Sequence, residues 1–149
     1  MIVVGSSVVA APREALWEVL SDPARLAEAL PGVEAVSVDD ERRFSAVARP
    51  RTALGETRLA LDFEILEQRP SKYVAISASG SAGEGLVAFT IELTLAEAGA
   101  QTQASWRADV ALRGVLASLL QRSLGPLFNQ QVEDVLQAGA RIGQGAGGS

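Results

Sequence analysis

Apolar positions recur along this chain with two different periods. From residue 114 to about 138 the spacing is three and four: Leu116, Leu119, Leu120, Leu124, Leu127, Phe128 and Val135 fall on one side, and Arg122, Asn129 and Glu133 on the other. This predicts an amphipathic helix of roughly seven turns at 3.6 residues per turn. Ahead of it the period is two. Leu59, Leu61, Phe63 and Ile65 alternate with Arg58, Ala60, Asp62 and Glu64; Val87, Phe89, Ile91, Leu93 and Leu95 alternate with Thr90, Glu92 and Thr94. Such alternation marks strands with one buried face.

The same reading predicts strands over 2–10, 33–38, 42–48, 56–67, 72–79, 86–95 and 101–112. Two short helices separate the first pair. Pro12 opens one over 13–20, where its missing N–H is not needed. Asp22 caps the next and Pro23 fills its first turn, with Leu26, Ala27 and Leu30 on the inner face and Pro31-Gly32 ending it. Links between the later strands are short, so neighbours should pair as antiparallel hairpins. Residues 80–85 are small and read as a flexible link, and Gly125-Pro126 should kink the long helix. The expected class is α+β: a seven-stranded curved antiparallel sheet gripping a long C-terminal helix, as one domain over 1–142 with a flexible Gly-rich tail over 143–149.

Composition narrows the chemistry. There is no Cys and no His, and the single Met is the first residue. Disulfides, Cys/His zinc sites, haem held by His, Cys or Met, and Ser-His or Cys-His catalysis are therefore excluded. Acid–base work would fall to carboxylates, Tyr73, Lys72, Arg or hydroxyls. A net charge of −5 without a basic face argues against nucleic acid. No apolar run approaches the roughly 18–20 residues of a membrane span, and the first residues lack the pattern of a signal peptide. A cytoplasmic address is expected.

Residues 12–34 carry more than periodicity. Pro12, Trp17, Leu20, Ser21-Asp22-Pro23, Leu26-Ala27 and Leu30-Pro31-Gly32-Val33-Glu34 resemble the opening of the carbon monoxide dehydrogenase G-subunit family. Thr102, Trp106-Arg107-Ala108-Asp109-Val110, Gly114, Leu116-Ala117 and Arg122 agree with it further on. That family belongs to the START-like SRPBCC superfamily. The resemblance implies a helix-grip fold with a cavity between sheet and helix for an apolar small molecule. It also implies a link to a molybdenum CO dehydrogenase, through membrane recruitment at the inner face or through electron transfer to a respiratory quinone. Longer members carry an apolar tail, and a chain ending at Ser149 is not expected to anchor itself.

Aligning the inward faces gives a candidate lining: Trp17, Phe44, Leu61, Phe63, Tyr73, Phe89, Ile91, Trp106, Leu116, Leu120, Leu124 and Phe128. Ala46, Ala48, Ala75, Ser77, Ala104 and Ala108 would thin the wall, whichever face the strand over 72–79 presents, and an inward Tyr73 would offer a hydroxyl to a ligand carbonyl. The plain alternative is a packed core, with Tyr73 structural. Asp62, Glu64, Glu92 and Asp109 fall on the outer face by alternation, and Glu14 is the remaining acidic candidate. Arg49-Pro50-Arg51 is a short basic loop, fewer cations than a lipid-binding cluster needs. The expected role is a non-enzymatic carrier of a quinone or other isoprenoid, lipid-like molecule, with no metal. The alternatives are a START-like cyclase or hydrolase using an inward Tyr or carboxylate, and an assembly module acting through its surface.

Overall fold

The computed structural model describes residues 1–49, 51–52, 55–56, 58–82, 85–114, 117–118 and 122–147. In chain order the elements are β1 (Ile2–Val9), α1 (Arg13–Leu20), α2 (Pro23–Ala29), β2 (Val33–Val38), β3 (Arg43–Ala48), the two-residue strands β4 (Arg51–Thr52) and β5 (Gly55–Glu56), β6 (Leu59–Arg69), β7 (Tyr73–Ala82), β8 (Gly85–Ala98), β9 (Gln101–Arg113) and α3 (Leu124–Gly147). Seven strands form one antiparallel sheet in the order β1-β9-β8-β7-β6-β3-β2, and β4 pairs with β5 as a small separate ribbon. The sheet curves over α3, which leans on α1, α2 and β1. This is the helix-grip arrangement.

The local rules hold where a turn or cap residue decides. The Asp22 carboxylate accepts from the Ala24 N–H at 3.1 Å and Pro23, which has no N–H, sits at the first helical position, so one orphan donor of α2 is capped and another is absent. The sheet from β2 to β9 is a succession of hairpins. Its closure by β1 against β9 is not local: Val3 lies opposite Ala108 and Gly5 opposite Trp106. Buried Thr102 secures that seam by donating its hydroxyl to the Ala11 carbonyl at 2.7 Å.

Four expectations are corrected. The long helix of the structure begins at Leu124, after a turn at Arg122–Ser123, and runs to Gly147. Ala117 and Ser118 are helical but lie before that turn. Pro126 therefore occupies the first turn, where a proline has no helical bond to break, and the expected mid-helix kink is absent. The apolar period continues across the turn and so conceals it. The tail expected from residue 143 is helical through Gly147, and Gly143 touches α1 so closely that a Cβ there would fall on the Ala15 carbonyl. Finally, the link expected over 80–85 is strand at both ends: Gly80–Ala82 completes β7 and Gly85 opens β8.

Candidate functional site

The inner face of the sheet is built in rows, because paired strands place opposite residues on the same side. One row runs Ala46, Leu61, Gly80, Val87, Leu112 across β3, β6, β7, β8 and β9. The next runs Phe44, Phe63, Ala78, Phe89, Val110, and the next Ile65, Ile76, Ile91, Ala108. Exposure changes along the rows. Ile65, Ile76 and Ile91 are buried, whereas Leu61, Val87, Phe89 and Leu112 are only half-buried although they point inward. Apolar side chains on an inner face stay accessible only if the space above them is unfilled.

That space is a chamber of about 340 Å³. Its floor is the sheet (Leu59, Leu61, Phe63, Ile76, Val87, Phe89, Ile91, Leu93), its roof is α3 (Leu124, Leu127, Phe128, Gln131, Val132, Val135), and one side is closed by Leu20, Leu26 and Leu30 with Pro31 and Val33. Among the described lining residues only Gln131 is polar, and none is titratable. The chain's four phenylalanines bridge floor to roof. Phe44 stacks on Phe63 at 4.6 Å, Phe63 meets Phe89 edge-on at 6.5 Å across the small Ala78, and Phe89 meets Phe128 edge-on at 5.2 Å. The aromatic row thus holds α3 off the central strands while leaving room beside it.

Of the expected lining residues, Leu61, Phe63, Phe89, Ile91, Leu124 and Phe128 do line the chamber. Leu116 and Leu120 lie outside the described residues. The other four are placed elsewhere. Phe44 is fully buried beneath Phe63. Trp17 is half-buried on α1 and packs against the core away from the chamber. Trp106 sits two rows deeper than Phe89's row, over Gly5, where any Cβ would collide with the indole. Its Nε1 donates to Asn129 Oδ1 at 2.9 Å, and Asn129 Nδ2 donates to the Val4 carbonyl at 3.1 Å. Asn129, expected to face away, is instead the clamp between α3 and the β1–β9 edge.

Tyr73 faces outward. Val74, Ile76 and Ala78 take the inner face of β7, so Tyr73, Ala75 and Ser77 take the outer one. The Tyr73 hydroxyl donates to Glu92 at 2.9 Å, and Arg69 lies over its ring at 5.0 Å. Partial burial, then the hydrogen bond to Glu92 and its negative charge, raise the phenol above its ordinary value of 10.0. The outer carboxylates are likewise engaged at the surface: Asp62 accepts from Ser45 at 2.7 Å, Glu64 pairs with Arg43 at 3.3 Å, and Asp109 lies 3.7 Å from the chain's amino group. Glu14 lies 3.8 Å from Arg13 on α1. Arg49 of the basic loop pairs with Glu34 at 2.7 Å; Pro50 lies outside the described residues. No group of three or more acidic residues that could hold a metal is present among the described residues, and no helix there is long and apolar enough to cross a membrane.

Sequence reasoning missed the side wall and Gln131. The period puts Leu26 and Leu30 on an inner face, but nothing in it says that α2 closes a chamber. Gln131 did leave a signal: it interrupts the three–four stripe of Leu124, Leu127, Phe128, Val132 and Val135 at an inward position.

A sequence model described as CoxG, the G subunit of carbon monoxide dehydrogenase, matches residues 5–140. No curated protein matches the chain significantly. A conserved protein from Geobacillus kaustophilus superposes with a TM-score of 0.87 at 19% identity, covering 98% of this chain and 97% of that one. A protein from Thermus thermophilus gives 0.65 at 14% identity over 98% and 99%. The Zhui aromatase/cyclase from Streptomyces sp. R1128 gives 0.59 at 19% identity over 98% and 92%. At these identities the likenesses are of fold.

Proposed function

This chain belongs to the carbon monoxide dehydrogenase G-subunit family, and from that premise we propose that it is a non-enzymatic carrier of an apolar small molecule held between sheet and α3. The observation that carries the reading is the chamber of about 340 Å³ whose described lining has a single polar side chain. A quinone ring or an isoprenoid, lipid-like segment is the cargo that suits it. The volume is near the lower end of the roughly 300–1,000 Å³ of small-molecule sites. Removing about 200 Å² of ligand apolar surface from water at ~25 cal/mol per Å² gives about 5 kcal/mol of driving force. Longer tails would leave by the half-exposed side near Leu61, Val87 and Leu112. The competing reading, a cyclase or hydrolase, needs an inward Tyr or carboxylate. Tyr73, Asp62, Glu64, Glu92 and Asp109 all point away from the chamber, which favours the carrier.

The test has two arms. Organic extraction of the purified protein followed by mass spectrometry should release an apolar molecule, and isothermal titration of emptied protein with menadione should show saturable binding. Leu61→Trp puts an indole into the open part of the chamber. It should leave the unfolding midpoint within a few degrees of wild type and weaken menadione binding more than tenfold. Protein that neither retains nor accepts any apolar molecule ends the carrier reading.

The family membership also supports service to a molybdenum CO dehydrogenase, by recruiting it to the inner face of the membrane or by passing its electrons to a respiratory quinone. Affinity-tagged chain should retain such a hydroxylase from a lysate that contains one. Elution of the enzyme with the untagged control would remove this part of the proposal and leave the carrier standing.

A further inference from the structure

Three successive residues of α3 carry amides, and the structure uses them differently. Asn129 clamps the helix to Trp106 and Val4. Gln130 donates to Asp134 at 3.0 Å on the outer side. Gln131 lines the chamber, and its amide makes no hydrogen bond to any described residue. Its position is the seventh after Leu124 on a stripe otherwise made of Leu, Phe and Val, where an apolar residue would continue the pattern. Gln131 and Leu127, one turn before it, are both exposed, so they mark where the roof of the chamber meets water.

We propose that Gln131 is the specificity residue of the chamber: it selects, among apolar molecules of one shape, those bearing a carbonyl or hydroxyl oxygen, and it fixes which end of the ligand stays at the opening. The inference rests on the carrier reading and deepens it. A primary amide both donates and accepts, so it meets either oxygen type. Phe128 lies one turn before Gln131 and faces Phe89, so a ring whose oxygen reaches the amide lies beside that aromatic pair. The deeper wall at Ile76, Ile91 and Leu93 offers no hydrogen-bonding side chain. A buried oxygen there would go unpaired, at substantial cost. The ligand's polar end therefore sits outward, where water completes its hydrogen bonds, and its hydrocarbon part points inward.

The probes are menadione and 2-methylnaphthalene, which share a fused ring and methyl group and differ in the carbonyl oxygens. Both are titrated into emptied wild-type protein, Gln131→Leu and Gln131→Glu. Wild type should prefer menadione. Gln131→Leu should weaken menadione by roughly three- to tenfold, the worth of one partly exposed hydrogen bond, while binding the hydrocarbon as well or better. The carbonyl stretch of bound menadione should lie at lower frequency in wild type than in Gln131→Leu. Gln131→Glu, which accepts but does not donate, should also weaken menadione. An unchanged menadione-to-hydrocarbon ratio in Gln131→Leu overturns the role of Gln131 and leaves the carrier intact. Wild type that binds neither probe overturns the role of Gln131, and if organic extraction also releases no apolar molecule the carrier reading falls with it.

Discussion

Removing the Asn129 side chain tests how α3 is held over the sheet. The indole of Trp106 is 4% exposed, and Asn129 Oδ1 is its acceptor at 2.9 Å. With Ala at 129 that buried N–H has no replacement, which costs about 1–3 kcal/mol. The second bond, to the carbonyl of Val4, lies on the outer edge of β1, in a residue 61% exposed. Water can replace it, so its loss costs only about 0.5 kcal/mol. Asn129→Ala should therefore destabilise by about 1.5–3.5 kcal/mol. For a domain of this size each kcal/mol moves the midpoint by roughly 2–4 °C, so a drop of about 3–14 °C is expected. Urea denaturation measures the free energy and a thermal melt the midpoint, both followed by far-ultraviolet circular dichroism. The cycle is completed with Trp106→Phe, which keeps an aromatic ring over Gly5 and deletes the donor. In that background Asn129→Ala should cost only the Val4 part, leaving a coupling of about 1–3 kcal/mol. Equal costs in both backgrounds would show that the Trp106–Asn129 bond contributes nothing and that packing alone positions the helix.

Other substitutions probe separate features. Gly143→Ala drives a Cβ onto the Ala15 carbonyl and should destabilise by about 1–3 kcal/mol, whereas Gly125→Ala, with nothing within 4 Å, should be neutral or stabilising by up to about 0.5 kcal/mol; thermal melts of the pair distinguish close approach from helix propensity. Asp22→Ala removes the cap of α2 and should cost about 1 kcal/mol, read by the same melts. Tyr73 is the chain's one tyrosine, so phenolate absorbance against pH reports it alone. Its midpoint should lie above 10.0 and fall in Glu92→Gln, which keeps an acceptor and removes the charge. The fold holds the phenol protonated to higher pH than the unfolded chain does. That contribution is intact below about pH 10 and is lost as pH rises through the folded value.

Much of the architecture was legible because it is local. The alternation through Val87, Phe89, Ile91, Leu93 and Leu95 fixed the inner face of β8, and Asp22-Pro23 fixed the start of α2. The phase of β7 was ambiguous, since Tyr73, Ala75 and Ser77 and their neighbours Val74, Ile76 and Ala78 offer comparable faces; the β6 and β8 partners decide it. The register pairs Arg43 with Glu64, and Phe44 with Phe63 on the buried face. The helix start was hidden because apolar spacing runs through the turn at Arg122–Ser123. The roles of Asn129 and Gln131 were hidden for a different reason. A helical wheel separates polar from apolar residues but does not know that one flank meets an indole and the other an opening. The chamber itself follows from the distance at which Phe89 and Phe128 hold roof from floor, and no pattern along a chain encodes that.

The place of β1 at the sheet's margin also governs how the molecule comes together. Met1 donates its amino group to the carbonyl of Val110, 109 residues further along. The strands between can zip up one after another, but the first has no seat until the last has been made, and bridging so long a loop is entropically slow. The capping helix rests on β1 and the two helices following it, so its complete seat also exists only once that closure is made. If the strands do pair in sequence, the sheet stands as an open trough with an oily floor until β1 and the capping helix close it, and a molecule present then would be enclosed by folding rather than admitted through the finished protein's doorway.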